Sequence, residues 1–332
     1  MKPYLPGTSV DTPAHKGILR EEKVVLRQLL GYGRPTEASL RLGVPELGAE
    51  LPGSSMKDVL FVDLDIDTFQ GYEVLMPDQQ LHISVSILET RHLVKLLALE
   101  HEGRLSCAIN SYQFTIGDSK YCQRARNKFL FGKSKSAESM PELKLELEQL
   151  VEDRDVILVC HSTNYELKML RNLDIDLRPL YIIDTNKVAQ CVLQLHYRYD
   201  LGKLLGVLGI PYALLHAAGH DACFCLQALL MLAVKDAEMG PPGSADDALL
   251  RLLEGISHAP RPRTRGEIDA ALASSRQARK EAKAARKIEK RAARVAAKIE
   301  QMRLERERED AEAAGLDAEE LGSATGELLQ HT

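Results

Sequence analysis

The sequence predicts an α/β domain with a mixed sheet flanked by helices, and three patterns carry that expectation. Residues 59–64 form a nearly continuous apolar run, as in a strand covered on both faces. Residues 82–88 alternate apolar and polar, as in a half-buried strand. From Pro141 onward, helix-like and strand-like segments follow one another.

Taken in order, residues 1–57 read as an N-terminal helix and linker, partly disordered. Leu19, Val24, Val25, Leu26, Leu29 and Leu30 share one helical face that ends at Gly31 and Gly33, and residues 48–55 suit a linker. Residues 58–237 read as the packed domain. A third strand is expected at 107–114, a helix at 141–152, a strand at 156–160, a helix at 167–173 and a strand at 180–183. Further helices are expected at 186–195, 200–208 and 218–236. Residues 238–264 read as a linker, 265–312 as a long charged helix and 313–332 as a disordered tail. Ile288, Val295, Ile299 and Met302 are too sparse for a coiled-coil seam.

Length and charge bound the function. The 332 residues suffice for about two domains. The net charge of −5 argues against a protein that binds nucleic acid over its whole surface. That sum is uneven, however. Residues 261–303 hold 14 Lys or Arg against 5 Asp or Glu, a balance of +9, so the remainder totals −14. The basic segment is expected to grip phosphates, or else to act as a solvated spacer with Glu281, Glu289 and Glu300 as intrahelical partners. It could equally serve as a nuclear address. No run of 18 apolar residues occurs, and no secretory or transit pattern opens the chain. Six cysteines without a CxxC pair read as reduced thiols, and the expected location is the nucleus or cytoplasm.

The first chemical signal is Asp63-Leu64-Asp65-Ile66-Asp67-Thr68-Phe69 at the end of the first strand. Alternate strand residues share a face, so Asp65 and Asp67 point the same way. Adjacent carboxylates repel unless a cation lies between them, and Mg²⁺ takes oxygen ligands. A turn cap by one of the three acids is the plainer reading. A haloacid-dehalogenase pattern fails, because its fifth position needs Thr or Val and here holds Asp67 or Phe69, depending on where the motif starts. A glycosyltransferase DxD finds no further support. The second signal is His216 in the loop before an apolar helix, with Asp221 in that helix's first turn. An acid and a histidine so placed can supply a metal ligand and a proton acceptor for an attacking water. Alternatively, Asp221 is a helix cap and His216 and His220 are loop polar groups. The third is Glu166, on a helix that follows the strand ending at Cys160; it is either another ligand or a favourable partner of the helix dipole. Asp184 and Asp200 read as a cap and a turn residue, and His161 and His220 first as polar core or loop residues.

The joint order of these signals resembles the DEDDh 3′–5′ exonucleases of the ribonuclease H-like fold. It is most similar to a fungal family, the "great for full DEAD-box protein activity" type C-terminal domain. Six blocks over about residues 58–237 carry the likeness. They are Leu64-Asp65-Ile66-Asp67, Phe131-Gly132-Lys133-Ser134, Leu158-Val159-Cys160-His161, Ile183-Asp184-Thr185, the stretch 200–210 and the stretch 215–230. The resemblance implies that Asp65, Asp67, Glu166 and Asp221 hold two Mg²⁺ or Mn²⁺ ions, Asp65 shared between them. It implies His216 as general base, and Thr68, Phe69 and His161 as substrate-binding residues. RNA or single-stranded DNA would be the substrate, with an RNA-processing or mRNA-export protein as a further partner. Two positions depart from the pattern: Asp67 stands where the family has Glu, and Glu166 where it has Asp. The rival expectation is therefore a catalytically degenerate domain that binds RNA or acts as an export scaffold.

Lys120, Arg124, Arg126, Lys128, Lys133 and Lys135 are interleaved with Tyr112, Phe114, Tyr121, Phe129 and Phe131. This suits a single-stranded nucleic-acid channel, or equally a solvated loop over buried aromatics.

Overall fold

The structure, a computed structural model, describes residues 21–33, 47–68, 80–99, 102–162, 164–240 and 246–313. Leu19, Phe69 and nearly all of the segment expected as a tail lie outside these residues.

The apolar run becomes β1 (Leu60–Thr68), the centre of a six-stranded sheet. It pairs antiparallel with β2 (Leu81–Glu89), which pairs antiparallel with β3 (Ile109–Ile116), and β4 (Ser134–Ala137) adds parallel to β3. On its other side β1 runs parallel to β5 (Val156–Cys160), followed by β6 (Tyr181–Asp184). The spatial order β4-β3-β2-β1-β5-β6 is the mixed sheet of a ribonuclease H-like fold.

Helices cover both faces, as the burial of β1 requires. Leu60, Val62 and Leu64 pack with Leu143 and Leu147 of α4 (Met140–Gln149) and with Met169 and Leu170 of α5 (Asn164–Asn172). Phe61 and the next alternate residues face the opposite layer. That layer contains α1 (Glu21–Leu30), α2 (Thr90–Leu99), α6 (Thr185–Val192), α7 (Leu201–Leu208), α8 (Ala218–Glu238) and α9 (Asp247–Ser257). A short helix, α3 (Lys120–Lys128), packs beside β2 and β3. Although α8 is long and apolar enough to cross a membrane, about nine-tenths of it is buried inside the fold, where it is the core helix.

Two expected linkers are folded. Leu51 and Met56, within or beside 48–55, are buried, and Leu51 N–H donates to Met56 O at 2.8 Å. Within 238–264, α9 buries Leu249, Leu252, Leu253 and Ile256 against α8, and Asp246 caps it. Glycine- and proline-rich flanks gave this segment the look of a linker.

The chain divides into two units, residues 1–262 and 263–332. The second contains α10 (Arg265–Ala313), in which no described residue is buried. Its start is a capping box: Thr264 Oγ1 accepts from Glu267 N–H, and Glu267 Oε2 accepts from Thr264 N–H. Beyond that it rests on helix propensity and on exposed pairs such as Arg303–Glu307.

Candidate active site

The strand period sets the site. Phe61, Asp63, Asp65 and Asp67 line the α8 face of β1, since their neighbours Leu60, Val62 and Leu64 fill the opposite core. β1 runs through all three acids, so they lie within the strand rather than past its end. The other two acids come from helix starts. Glu166 is in the first turn of α5, which follows β5, the parallel neighbour of β1. Asp221 is in the first turn of α8, which packs across β1 and β2.

Asp65 is the meeting point of these acids. Burial and then the charges of Asp221, Glu166 and Asp67 raise its pKa well above the carboxylate range. Burial chiefly pushes Glu166 up to about 7 and Asp221 up to about 6. Glu166 Oε2 is buried without a hydrogen-bond partner, as is Asp63 Oδ2 one strand step deeper. Asp63 is 3% exposed, and its carboxyl is raised by burial and, among other charges, by Asp65 and Glu166. Asp63 entered the sequence reading only as part of the motif. Its place in the cluster follows from the same alternation.

Asp67 is held differently. It lies opposite His82 on β2, and His82 Nε2 is 3.1 Å from Asp67 Oδ2. The Tyr121 ring of α3 packs beside His82, with centroids 5.2 Å apart. The His82 bond keeps the Asp67 carboxyl below its usual range. No sequence pattern points to His82, because strand register brings it there.

His216 is placed by its backbone. It adopts φ +63°, in the left-handed region, and Leu214 adopts +55°. The His216 N–H donates to Asp221 Oδ2 at 3.0 Å and to Oδ1 at 3.3 Å, leaving the imidazole exposed at the rim. Thr68 Oγ1 donates to Gln80 O at 3.0 Å. His161 uses both ring nitrogens internally, on Thr185 Oγ1 at 2.8 Å and on Tyr199 O at 2.9 Å. His220 is a core staple: Nδ1 meets Leu214 O at 3.0 Å, and Nε2 accepts from Leu130 N–H at 3.0 Å. Asp184 and Asp200 cap α6 and α7.

The donor set therefore has the chemistry of a hard-cation site: carboxylates only, mutually repelling, two with unpartnered buried oxygens. Among the described residues, no group of three acids, histidines or cysteines is close enough to grip an ion as it stands. Of the interleaved aromatics, Phe114 and Phe129 are buried, so they belong to the core.

Comparison with curated proteins yields no match. Residues 65–232, half of the chain, match the family model of the DNA polymerase III subunit epsilon-like C-terminal domain, of DEDDh type. The match begins at Asp65, within β1, and runs through most of α8, with Glu166, His216 and Asp221 inside it, and the chain therefore belongs to the DEDDh exonuclease family.

Proposed function

We propose that the protein is a 3′–5′ exonuclease that hydrolyses the phosphodiester bonds of RNA or single-stranded DNA. The charges of Glu166 and Asp221 bearing on the buried Asp65, in a chain of the DEDDh family, carry this reading. Asp65, Asp67, Glu166 and Asp221 would hold two Mg²⁺ or Mn²⁺ ions, which would stabilise the entering and leaving oxygens of the reaction. The chain's own part is to position and to move a proton. The His216 N–H fixes the Asp221 carboxylate, and the His216 imidazole at the rim is the base that takes a proton from the attacking water. Thr68, at the end of β1, and Phe69 adjoin the terminal nucleotide in this reading. His161 acts from behind, tying the end of β5 to Thr185 and Tyr199. The six ordered sequence blocks support placing the chain in the fungal subtype.

One observation favours a second reading. The tether of Asp67 to His82 suits a degenerate domain that binds RNA, or an mRNA-export partner, without cutting. A 5′-labelled oligonucleotide incubated with Mg²⁺ or Mn²⁺ separates the two. Stepwise shortening that Asp65→Ala abolishes is expected of the enzyme. Intact oligonucleotide, bound equally by both proteins, rejects the enzyme in favour of the scaffold.

A further inference from the structure

We infer that the outer face of α3 is a binding track for the backbone of a single-stranded nucleic acid leading to the carboxylate site. The inference rests on the exonuclease reading for the identity of that site. Lys120, Arg124 and Lys128 stand at successive four-residue steps, on one side of the helix, and all three are exposed. Four residues advance about 6 Å along a helix, so the three charges form a straight row. α3 contains no acidic residue, and none of the three, nor the exposed Lys133 just beyond, forms an ion pair with a described residue. Other cations on this unit are paired, Lys135 with Glu146 and Lys144 with Asp174 among them. Asp118, just before the helix, is the nearest acid in sequence. A row of unpaired cations on an otherwise acidic body fits a polyanion.

Both ends of α3 are anchored at the site. Near its start, the Tyr121 ring packs against His82, which in turn holds Asp67. Past its end, the Phe129 ring lies where a Cβ on Gly219 would be, two residues before Asp221, and Leu130 N–H donates to His220. Inward bonds from Gln113 to Ala125 O and from Arg126 to Thr115 fix the helix on the sheet, so its cations face outward on a rigid support. Charge complementarity and continuity with the carboxylates select a phosphodiester strand as the occupant.

The test uses the full chain, fluorescein-labelled oligothymidylate or oligouridylate with Ca²⁺, and two variant sets. One carries Lys120→Glu, Arg124→Glu and Lys128→Glu on α3; the other carries Lys290→Glu and Arg294→Glu on α10. The expected result is an affinity loss of about tenfold or more for the α3 set, and a graded loss for its Gln counterparts with unchanged thermal melts. Turnover of thymidine 5′-(4-nitrophenyl phosphate), too short to reach the row, should stay at the wild-type rate. Wild-type affinity in the α3 set, with loss only in the α10 set, overturns the inference. Equal loss of small-ester turnover overturns it too, as does polyglutamate binding as tightly as the oligonucleotide. If the wild type turns over neither substrate, the exonuclease reading fails, while the affinity comparison still decides the track.

Discussion

At the scale of single residues, the site is under electrostatic strain that a cation would relieve. In the unfolded chain Asp and Glu titrate near pH 4, whereas Glu166 and Asp221 are raised to about 7 and about 6 in the fold. Between those values the folded state binds more protons than the unfolded one. Their contribution to stability is therefore complete below about pH 4 and is lost as pH rises through 6 to 7. In chelator, Glu166→Gln should raise the melting temperature at pH 8 by more than at pH 5, a difference on the order of 2 kcal/mol. Mn²⁺ should stabilise the wild type at pH 8 and stabilise the variant less. Parallel melts of both proteins check this, and an unchanged pH profile in Glu166→Gln would contradict it. A strand period of two and two helix starts single out Asp65, Asp67, Glu166, His216 and Asp221 as candidates in the sequence. Only their joint order, through its resemblance to a family, chooses a site over caps and loop groups. His82 was not legible there, since it reaches Asp67 through strand register rather than spacing.

At the scale of elements, legibility followed apolar content and flanking residues. β5 appears at the residues expected, because five consecutive apolar residues leave no other reading. α3 was missed because only Cys122 and Ala125 are buried, too few to show a helical period. β4 carries one buried residue, Ala137, and α2 begins at Thr90 directly after β2 with no glycine or proline between. How the elements are held gives two further predictions. Arg27 of α1 forms a bidentate pair with the buried Asp236 of α8, at 2.6 and 2.8 Å, and Tyr32 adds a bond at 3.3 Å. Removing the carboxylate strands the guanidinium, so Asp236→Ala should cost about 3–5 kcal/mol in urea unfolding. At the other end of α8, Gly219→Ala would drive a methyl into the Phe129 ring. The expected loss is about 1–3 kcal/mol, with the 129–132 loop displaced, as hydrogen exchange at the Leu130 amide would report.

At the scale of the molecule, burial is confined to one of the two units and positive charge to one stretch of the chain. Every buried side chain among the described residues belongs to the unit ending at Pro262, while α10 buries none of its described residues. The net charge of −5 is the sum of +9 over residues 261–303 and −14 elsewhere, of which residues 304–332 carry −7. Within α10 the excess is concentrated further: residues 276–298 carry ten Lys or Arg against Glu281 and Glu289. The described ion pairs, Arg265–Asp269 and Arg303–Glu307, lie outside that stretch. A helix kept only as a spacer gains nothing from so many unpaired like charges, which repel one another at four-residue spacing. One that binds phosphates does gain, in proportion to the counterions released. Ending the chain after Pro262 should therefore leave the melting temperature unchanged, since no buried side chain is removed. It should also flatten the dependence of log affinity on log salt for a single-stranded oligonucleotide, by roughly 0.7 for each phosphate that α10 would have neutralised. Fluorescence titrations across a salt series measure that slope for both proteins. An unchanged slope and affinity would make α10 a spacer, and leave the α3 row to account for the attraction between an acidic protein and a polyanion.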